Sequence, residues 1–187
     1  MDTLLIIIVV AALVVVGWLI LTYNGLVQRR MRIDEAFAQI DVQLKRRHDL
    51  IPNLVNAVKG YMEFEQDVLT KVTEARANAI AAGARGPVEQ AAAENALTAA
   101  LRSLFAVVEN YPQLKANENV LALQEQLTTT ENQISFSRQH YNATVMDYNT
   151  AIATFPTVLI AGAFGFTKRD FFEAEPEAAT VPVVQLR

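Results

Sequence analysis

An uninterrupted apolar run from Leu4 to Thr22 limits what this chain can fold into more than any other feature. The run contains no charged residue, and as a helix it would be roughly 28 Å long, close to the bilayer's hydrocarbon thickness of about 30 Å. Inside lipid every backbone polar group must be paired within its own segment, so the run must be helical. The sequence therefore predicts a transmembrane helix over residues 4–22, after a short N-terminus of residues 1–3.

A cleaved signal peptide is the alternative to a retained anchor. Signal peptides carry a basic start, an apolar stretch of about 7–15 residues and a small-residue cleavage site. Here Met1-Asp2-Thr3 has no basic side chain, the apolar run is longer, and no Ala-x-Ala follows it. We therefore expect a retained anchor, with Trp18 and Tyr23 near the membrane interface.

Basic residues lie only on the C-terminal side of the run. Arg29, Arg30 and Arg32 follow it closely, and Lys45 to Arg47 come next. The positive-inside rule then places the N-terminus outside and the rest of the chain in the cytoplasm.

Composition narrows the class of the remaining chain. There is no cysteine, so neither a disulfide framework nor a thiolate metal site exists. The net charge is −4, and nothing suggests a nucleic-acid partner. Glycine and proline are few while helix-forming residues are abundant, which is typical of an all-helical protein.

Apolar residues recur at spacings of three and four from Ile33 to Val72, which predicts one face of a helix. Pro52 interrupts this pattern without changing its phase, so we expect a kink or a restarted helix there and not a hairpin. The clearest reversal is residues 81–87, which contain two glycines followed by Pro87.

Two more helices follow the reversal, from about residue 88 to 110 and from about 118 to 155. The second of them carries the most regular apolar seam, which consists of Val120, Leu123, Leu127, Ile134, Tyr141, Val145, Tyr148, Ile152 and Phe155. Such seams pack against other helices. The predicted fold is all-α: a transmembrane helix followed by an antiparallel up-and-down bundle of long helices over residues 23–173, with a disordered tail over 174–187.

Residues 157–172 form an unusual apolar cluster that contains Phe164, Phe166, Phe171 and Phe172. One interpretation is that the cluster closes the open end of the bundle core. The others are a contact with another subunit or with the bilayer surface.

Several motifs, in the same order, resemble the LemA family over nearly the whole chain. They are the block from Gln39 to Val55, Glu94-Asn95-x-Leu97, Tyr111-Pro112-x-Leu114-Lys115, Glu131-Asn132-x-Ile134, Arg138-x-x-Tyr141-Asn142-x-x-Val145-x-x-Tyr148-Asn149, Phe155-Pro156 and Gly165-Phe166, preceded by Tyr23-Asn24-x-Leu26-Val27. The resemblance implies a single-pass bacterial inner-membrane protein with a cytoplasmic helical bundle. It implies no catalytic residue, and a magnetosome-associated relative suggests a role in membrane organisation.

The densest charge cluster is Lys45 to Asp49. As helix, Lys45 would lie roughly 33 Å beyond Tyr23, several times the Debye length of about 8 Å, so lipid binding is disfavoured. Arg47 falls on the apolar seam instead, and we expect it to pair with a carboxylate. Glu65, Glu94 and Glu131 are the possible partners. A buried pair of this kind sets helix register more than it adds stability.

Tyr141-Asn142 and Tyr148-Asn149 repeat at a seven-residue spacing and therefore share one helix face, with Arg138 one turn earlier. A ligand-binding stripe is one interpretation. We favour a polar layer inside the bundle, in which the hydroxyls and amides bond across helices.

No motif of an enzyme or of a metal or cofactor site is present. His48 and His140, the only histidines, have no metal-site spacing, and no phosphate loop, nucleophile elbow or nucleotide fingerprint occurs. We expect no catalytic, cofactor-binding or metal-binding residue.

Three functions fit these features. The leading hypothesis is a non-enzymatic, membrane-anchored scaffold that forms a homo-oligomer and organises or remodels the bacterial inner membrane. The alternative is an adaptor that presents the bundle to a membrane protease or signalling partner. The third, a small-ligand sensor, needs an apolar-lined cavity with converging polar groups.

Overall fold

The computed structural model describes residues 2–62 and 65–172. These residues form helices and contain no strand, which confirms the all-α class. The helices are α1 (Asp2–Lys59), α2 (Gln66–Ala82), α3 (Pro87–Val108), α4 (Pro112–Lys115), α5 (Glu118–Ala153) and α6 (Thr157–Ala163). The predicted tail over 174–187 lies outside the described residues.

α1 is one uninterrupted helix of 58 residues. It passes through the predicted span and continues beyond Thr22 without a break. Pro52 lies inside it, so the helix neither restarts nor reverses there. The run from Leu4 to Thr22 is almost entirely exposed, as expected for a segment whose surroundings are lipid.

The long first pattern, Ile33 to Val72, is two helices and not one. α1 ends at Lys59, and α2 begins at Gln66 after turn bonds from the Tyr61 N–H to the Val58 carbonyl and from the Glu65 N–H to the Met62 carbonyl. This reversal is not predicted by the sequence pattern, because only Gly60 marks it and a single glycine is a weak signal. The apolar phase continues across it because both helices bury their seams in one core.

The other boundaries agree with the sequence. α3 and α5 match the two predicted helices, and Gly86 between α2 and α3 has φ +111°, a conformation that glycine adopts without strain. Pro87 then occupies the first turn of α3. Phe155 is the exception to the predicted seam: it lies beyond the end of α5 and is exposed.

The described residues form two compact units. The first unit comprises residues 2–39 and 137–170, and the second unit comprises residues 40–136 with 171 and 172.

In the second unit, four helical segments run up and down. Side-chain contacts pair Asp41 with Gln90 and Arg47 with Glu94, so α1 and α3 run in the same direction. α2 runs the opposite way, because it connects the end of α1 to the start of α3. α5 follows α3 and the short α4, and it also runs the opposite way. The shared core is built from Ile51, Leu54, Val58, Met62, Leu69, Val72, Ala79, Leu97, Leu101, Leu104, Val108, Leu114, Val120 and Leu127.

In the first unit, α1 and α5 are antiparallel neighbours. The rings of Phe37 and Tyr141 lie 5.6 Å apart, and Arg29 forms an ion pair with Asp147. The buried side chains of this unit are Leu26, Ile33, Ala36, Tyr141, Val145, Tyr148, Ile152, Ile160 and Ala161.

Candidate functional site: a buried ionic layer and an aromatic surface

A buried ion pair joins α1 to α3 in the second unit. The Arg47 side chain is 1% exposed and Glu94 is fully buried, and the Arg47 Nη2 donates to Glu94 Oε2. The other carboxylate oxygen, Oε1, lies 2.8 Å from His48 Nε2. Both oxygens of Glu94 therefore have a partner, as a carboxylate removed from water requires.

The same guanidinium reaches α5. Arg47 Nη1 donates to Glu131 and, over 3.0 Å, to the hydroxyl of Thr98, which lies 3.4 Å from Glu131 Oε1. The Glu131 side chain is 40% exposed, so this second pair is more strongly screened by water than the first.

α2 joins the layer through the Arg76 side chain, whose Nε donates to the backbone carbonyl of His48 over 2.7 Å. We define the ionic layer as Arg47, His48, Arg76, Glu94, Thr98 and Glu131. Each of the four long helical segments of the second unit contributes to it. Arg47 and Glu94 are its two buried members, so removing either side chain leaves the other as a buried charge without its main partner.

The charge state of Glu94 follows from its surroundings. Burial alone would raise the pKa of Glu94, but the hydrogen bond to His48 and the positive charge of Arg47 outweigh this effect. The pKa of Glu94 is therefore lowered from its ordinary value of 4.5, and the carboxylate stays ionised at neutral pH.

The structure distinguishes among the predicted carboxylates. Arg47 contacts Glu94 and Glu131, whereas Glu65 stands at the N-terminus of α2. Sequence reasoning did not find the parts played by His48, Thr98 and Arg76. The position of His48 directly after Arg47, in the densest charge cluster of the sequence, was the one available signal.

We call Tyr141, Asn142, Tyr148 and Asn149 the tyrosine–asparagine stripe. The stripe lies on α5 and binds the backbone of the segment after α6. In the first unit, the hydroxyls of Tyr141 and Tyr148 donate to the carbonyls of Asp170 and Thr167, over 2.9 Å and 3.0 Å. Asn149 donates to the Arg169 carbonyl and accepts from the Arg169 N–H, both over 2.9 Å. The expected partners were on other helices, but these partners lie on a segment without regular structure.

Residues 167–170 are not helical, so their backbone groups lack the hydrogen bonds that a helix would supply, and the stripe provides partners instead. Burial, followed by the nearby Asp170 and Asp34 carboxylates, raises the pKa of Tyr141 against the opposing effect of Arg169. The hydroxyl therefore remains a donor. Arg138 and Asn142 lie partly buried on the same helix, and their place in a polar network stays a prediction.

The four predicted contact phenylalanines have different positions. Phe164 and Phe166 of the first unit make edge contacts with Tyr23, with ring centroids 5.2 Å and 5.6 Å apart. Phe171 is partly exposed, whereas Phe172 is fully buried. Burial of the Phe172 ring fits the interpretation in which the cluster closes a core, and a subunit or membrane contact of the four rings stays a prediction.

The second unit has an open cavity of about 200 Å³ between α3 and α5. Arg47, Thr98 and Glu131 line it together with the apolar side chains of Leu101, Phe105 and Leu127. Sites for small ligands typically measure about 300–1,000 Å³. This cavity is smaller, and its polar groups already bond to one another, so it gives the ligand-sensor hypothesis little support. Over residues 2–62 and 65–172, no group of three acidic, histidine or cysteine side chains is placed to hold a metal ion.

Within the described part of the chain, α1 and α3 are long and apolar enough to cross a membrane. α3 buries Leu97, Leu101 and Leu104 in the core of the second unit, as a soluble core helix does. No part of the apolar window of α1 is buried. The combination of length and exposure indicates that α1 anchors the chain in a membrane.

Comparison with known proteins gives a consistent result. The sequence model described as the LemA family matches residues 36–186. The chain is 24% identical to magnetosome protein MamQ 2 of Paramagnetospirillum magneticum, over 98% of this chain and 76% of that protein. It is 24% identical to magnetosome protein MamQ of Magnetospirillum gryphiswaldense, over 89% and 70%. It is 28% identical to protein LemA of Metamycoplasma hominis, over 88% and 75%.

Replacing Arg47 with alanine tests the ionic layer. The change leaves the buried Glu94 carboxylate without its cation, and breaking a buried pair in this way costs about 3–5 kcal/mol. Arg46→Ala is the matched control, since Arg46 is exposed on the same helix, and it should stay within about 0.5 kcal/mol of wild type. Unfolding of the detergent-purified chain followed by circular dichroism measures both. An unchanged melt and oligomer profile for Arg47→Ala would contradict the role assigned to the layer.

Lowering the pH should weaken the ionic layer. Because the pKa of Glu94 is lowered on folding, its contribution to stability is present above about pH 4.5 and disappears as pH falls through the folded pKa. The difference in melting temperature between wild type and Glu94→Gln should therefore shrink below that pH. Glu125→Gln, an exposed change on α5, should keep the acid response of wild type. A difference that stays constant from neutral pH to about pH 3 would argue against an ionised Glu94 in the folded chain.

Proposed function

The chain belongs to the LemA family, and from this membership we propose that it is a membrane-anchored, non-enzymatic helical scaffold that self-assembles and organises or remodels the bacterial inner membrane. One observation carries the proposal: the exposed apolar run continues, as one helix, into the α1–α5 pair of the first unit. The span and this unit are therefore coupled without a hinge.

Exposure of the run supports the anchoring part of the proposal. Soluble monomers rarely expose apolar patches beyond a few hundred Å². The side chains from Leu4 to Leu21 are exposed on nearly every face of α1, so lipid is the surrounding that fits them. Arg30 and Arg32 are exposed just beyond the run. Their charge is the reason we assign the N-terminus to the outside and the rest of the chain to the cytoplasm.

Coupling between span and first unit supports the scaffold part. Helical residues lead from Thr22 to Leu26 and Ile33, both buried in the first unit. A helix holds direction where a glycine-rich linker would not. When copies of the first unit pack together, the spacing and tilt of their spans follow, and this is how such an assembly would act on a bilayer.

Exposed apolar side chains along the outer surfaces support self-assembly. In the second unit, Phe136 is 75% exposed and Val42 is also largely exposed. In the first unit, Met31 and Met146 point outward. Aromatic residues and methionine are enriched in protein–protein interfaces, so these positions are the first to test.

The relatives support a role at a membrane. Two of the similar proteins named above are magnetosome proteins, and none of the three names describes a catalytic activity. The names give no chemistry to carry over, and the organising role is our own proposal.

Membrane orientation can be tested directly because the chain contains no cysteine. Thr3→Cys and Ser135→Cys each introduce one thiol, at the N-terminus and at an exposed position on α5. In intact spheroplasts a membrane-impermeant maleimide should label only Thr3→Cys, and permeabilisation should make Ser135→Cys reactive. Labelling of Ser135→Cys before permeabilisation would contradict the proposed orientation.

Self-assembly can be tested by the mass of the detergent-purified particle. Wild type should form a uniform oligomer, and Phe136→Lys should lower the particle mass by placing a charge in a contact. Gln133→Lys adds the same charge at an exposed position on the same helix and should leave the mass unchanged.

The two mass comparisons test different parts of this proposal. A folded monomer of the wild type would contradict the scaffold and favour the adaptor. Equal masses for wild type and Phe136→Lys would show that Phe136 lies outside the contact.

A further inference from the structure

The segment from Phe155 to Phe166 in the first unit has no charged side chain. It contains α6, which buries Ile160 and Ala161 and exposes Val158 and Leu159. A short surface helix in contact with water normally carries polar residues on its outer side. α6 has an apolar outer side instead, so a partner other than water is expected to cover it.

The most exposed side chains of the segment are large and apolar. Phe155 is 76% exposed, Leu159 is 66% exposed, and Phe164 is 61% exposed. We call Phe155, Val158, Leu159 and Phe164 the α6 surface. Beyond it the chain becomes basic at Lys168 and Arg169.

The position of the α6 surface identifies what covers it. Phe164 and Phe166 pack edge-on against Tyr23, the residue directly after the exposed apolar run of α1. The ring contact therefore places the α6 surface at the level where the span ends. Amphipathic aromatic rings such as that of Tyr23 favour the membrane interface.

We propose that the α6 surface is a second membrane contact, which enters the boundary between lipid headgroups and acyl chains beside the end of the span. Interfacial elements insert an apolar face about 5–10 Å deep and keep basic residues near anionic headgroups. Lys168 is exposed and in position for the second role. The inference rests on the proposed membrane anchoring.

The tyrosine–asparagine stripe gives this contact a fixed position. Tyr148 and Asn149 hold the backbone of residues 167–169 against α5, shortly after the end of α6 at Ala163. Tyr23 contacts the rings of Phe164 and Phe166, and the stripe holds the backbone that follows them, so the chain is fixed at both places. The α6 surface is thus part of a defined structure, and its apolar side chains cannot turn inward as those of a free segment could.

Depth-dependent quenching of tryptophan fluorescence tests the proposal, because Trp18 is the only tryptophan of the chain. In a Trp18→Phe background, Leu159→Trp and Phe164→Trp report on the α6 surface. Gln139→Trp is the control, exposed on α5 of the same unit and roughly 21 Å along the helix from Ala153. The full chain is reconstituted in phosphatidylglycerol–phosphatidylethanolamine vesicles containing lipid brominated near the glycerol end of the acyl chain.

The expected result is that the tryptophans introduced at positions 159 and 164 lose emission to the brominated lipid as strongly as native Trp18, whereas the tryptophan at position 139 does not. Unquenched emission at both α6 positions with quenched Trp18 would overturn the second contact and leave the anchor intact. Loss of quenching at Trp18 as well would overturn the proposed anchoring. Blue-shifted emission at position 159 that depends on protein concentration and not on brominated lipid would show that a second copy covers the surface, and would overturn the lipid contact.

Discussion

The burial of one guanidinium constrains the second unit more than any single apolar contact. Removing an ion such as Arg47 from water costs several kcal/mol, and the cost is offset only if carboxylates and hydrogen bonds meet it in good geometry. Glu94 and Glu131 must therefore lie at matching heights on α3 and α5. An apolar core tolerates small shifts of one helix along another, but a charged layer does not. We therefore expect the ionic layer to set helix register in this unit, while the surrounding leucines supply most of the burial.

A different device operates in the first unit, where two tyrosines and an asparagine of α5 act on a stretch of chain without regular structure. Tyr148 and Asn149 satisfy backbone groups that a helix would satisfy internally. Asn149 is suited to this task because its amide offers both a donor and an acceptor to one peptide unit. The segment after α6 is thus held by specific bonds, although its own sequence favours neither helix nor strand.

Sequence patterns predicted the elements well where a single physical signal dominated. Apolar periodicity and the reversal at residues 81–87 were enough to predict α3 and α5. The reversal after Gly60 was missed because the two helices share one core, so periodicity alone could not separate them. The sequence left three carboxylates as possible partners of Arg47. It could not show which of them bind Arg47, because that depends on how helices distant in sequence align. The tyrosine–asparagine stripe shows the same limit, because its spacing predicts a common face and not what that face binds.

The span of α1 and the proposed lipid contact of the α6 surface constrain each other. A single helix crossing a bilayer is free to rotate about its axis and to change its tilt within a modest energy range. A second contact offset from that axis removes much of this freedom, because rotation would lift the α6 surface out of the lipid interface. The Tyr23 ring lies where the two features meet, against Phe164 and Phe166. In the proposed assembly, an anchor held at two points would present the same face of α1 and α5 to every neighbour in the plane of the membrane. That is the condition under which identical copies can pack into a regular array.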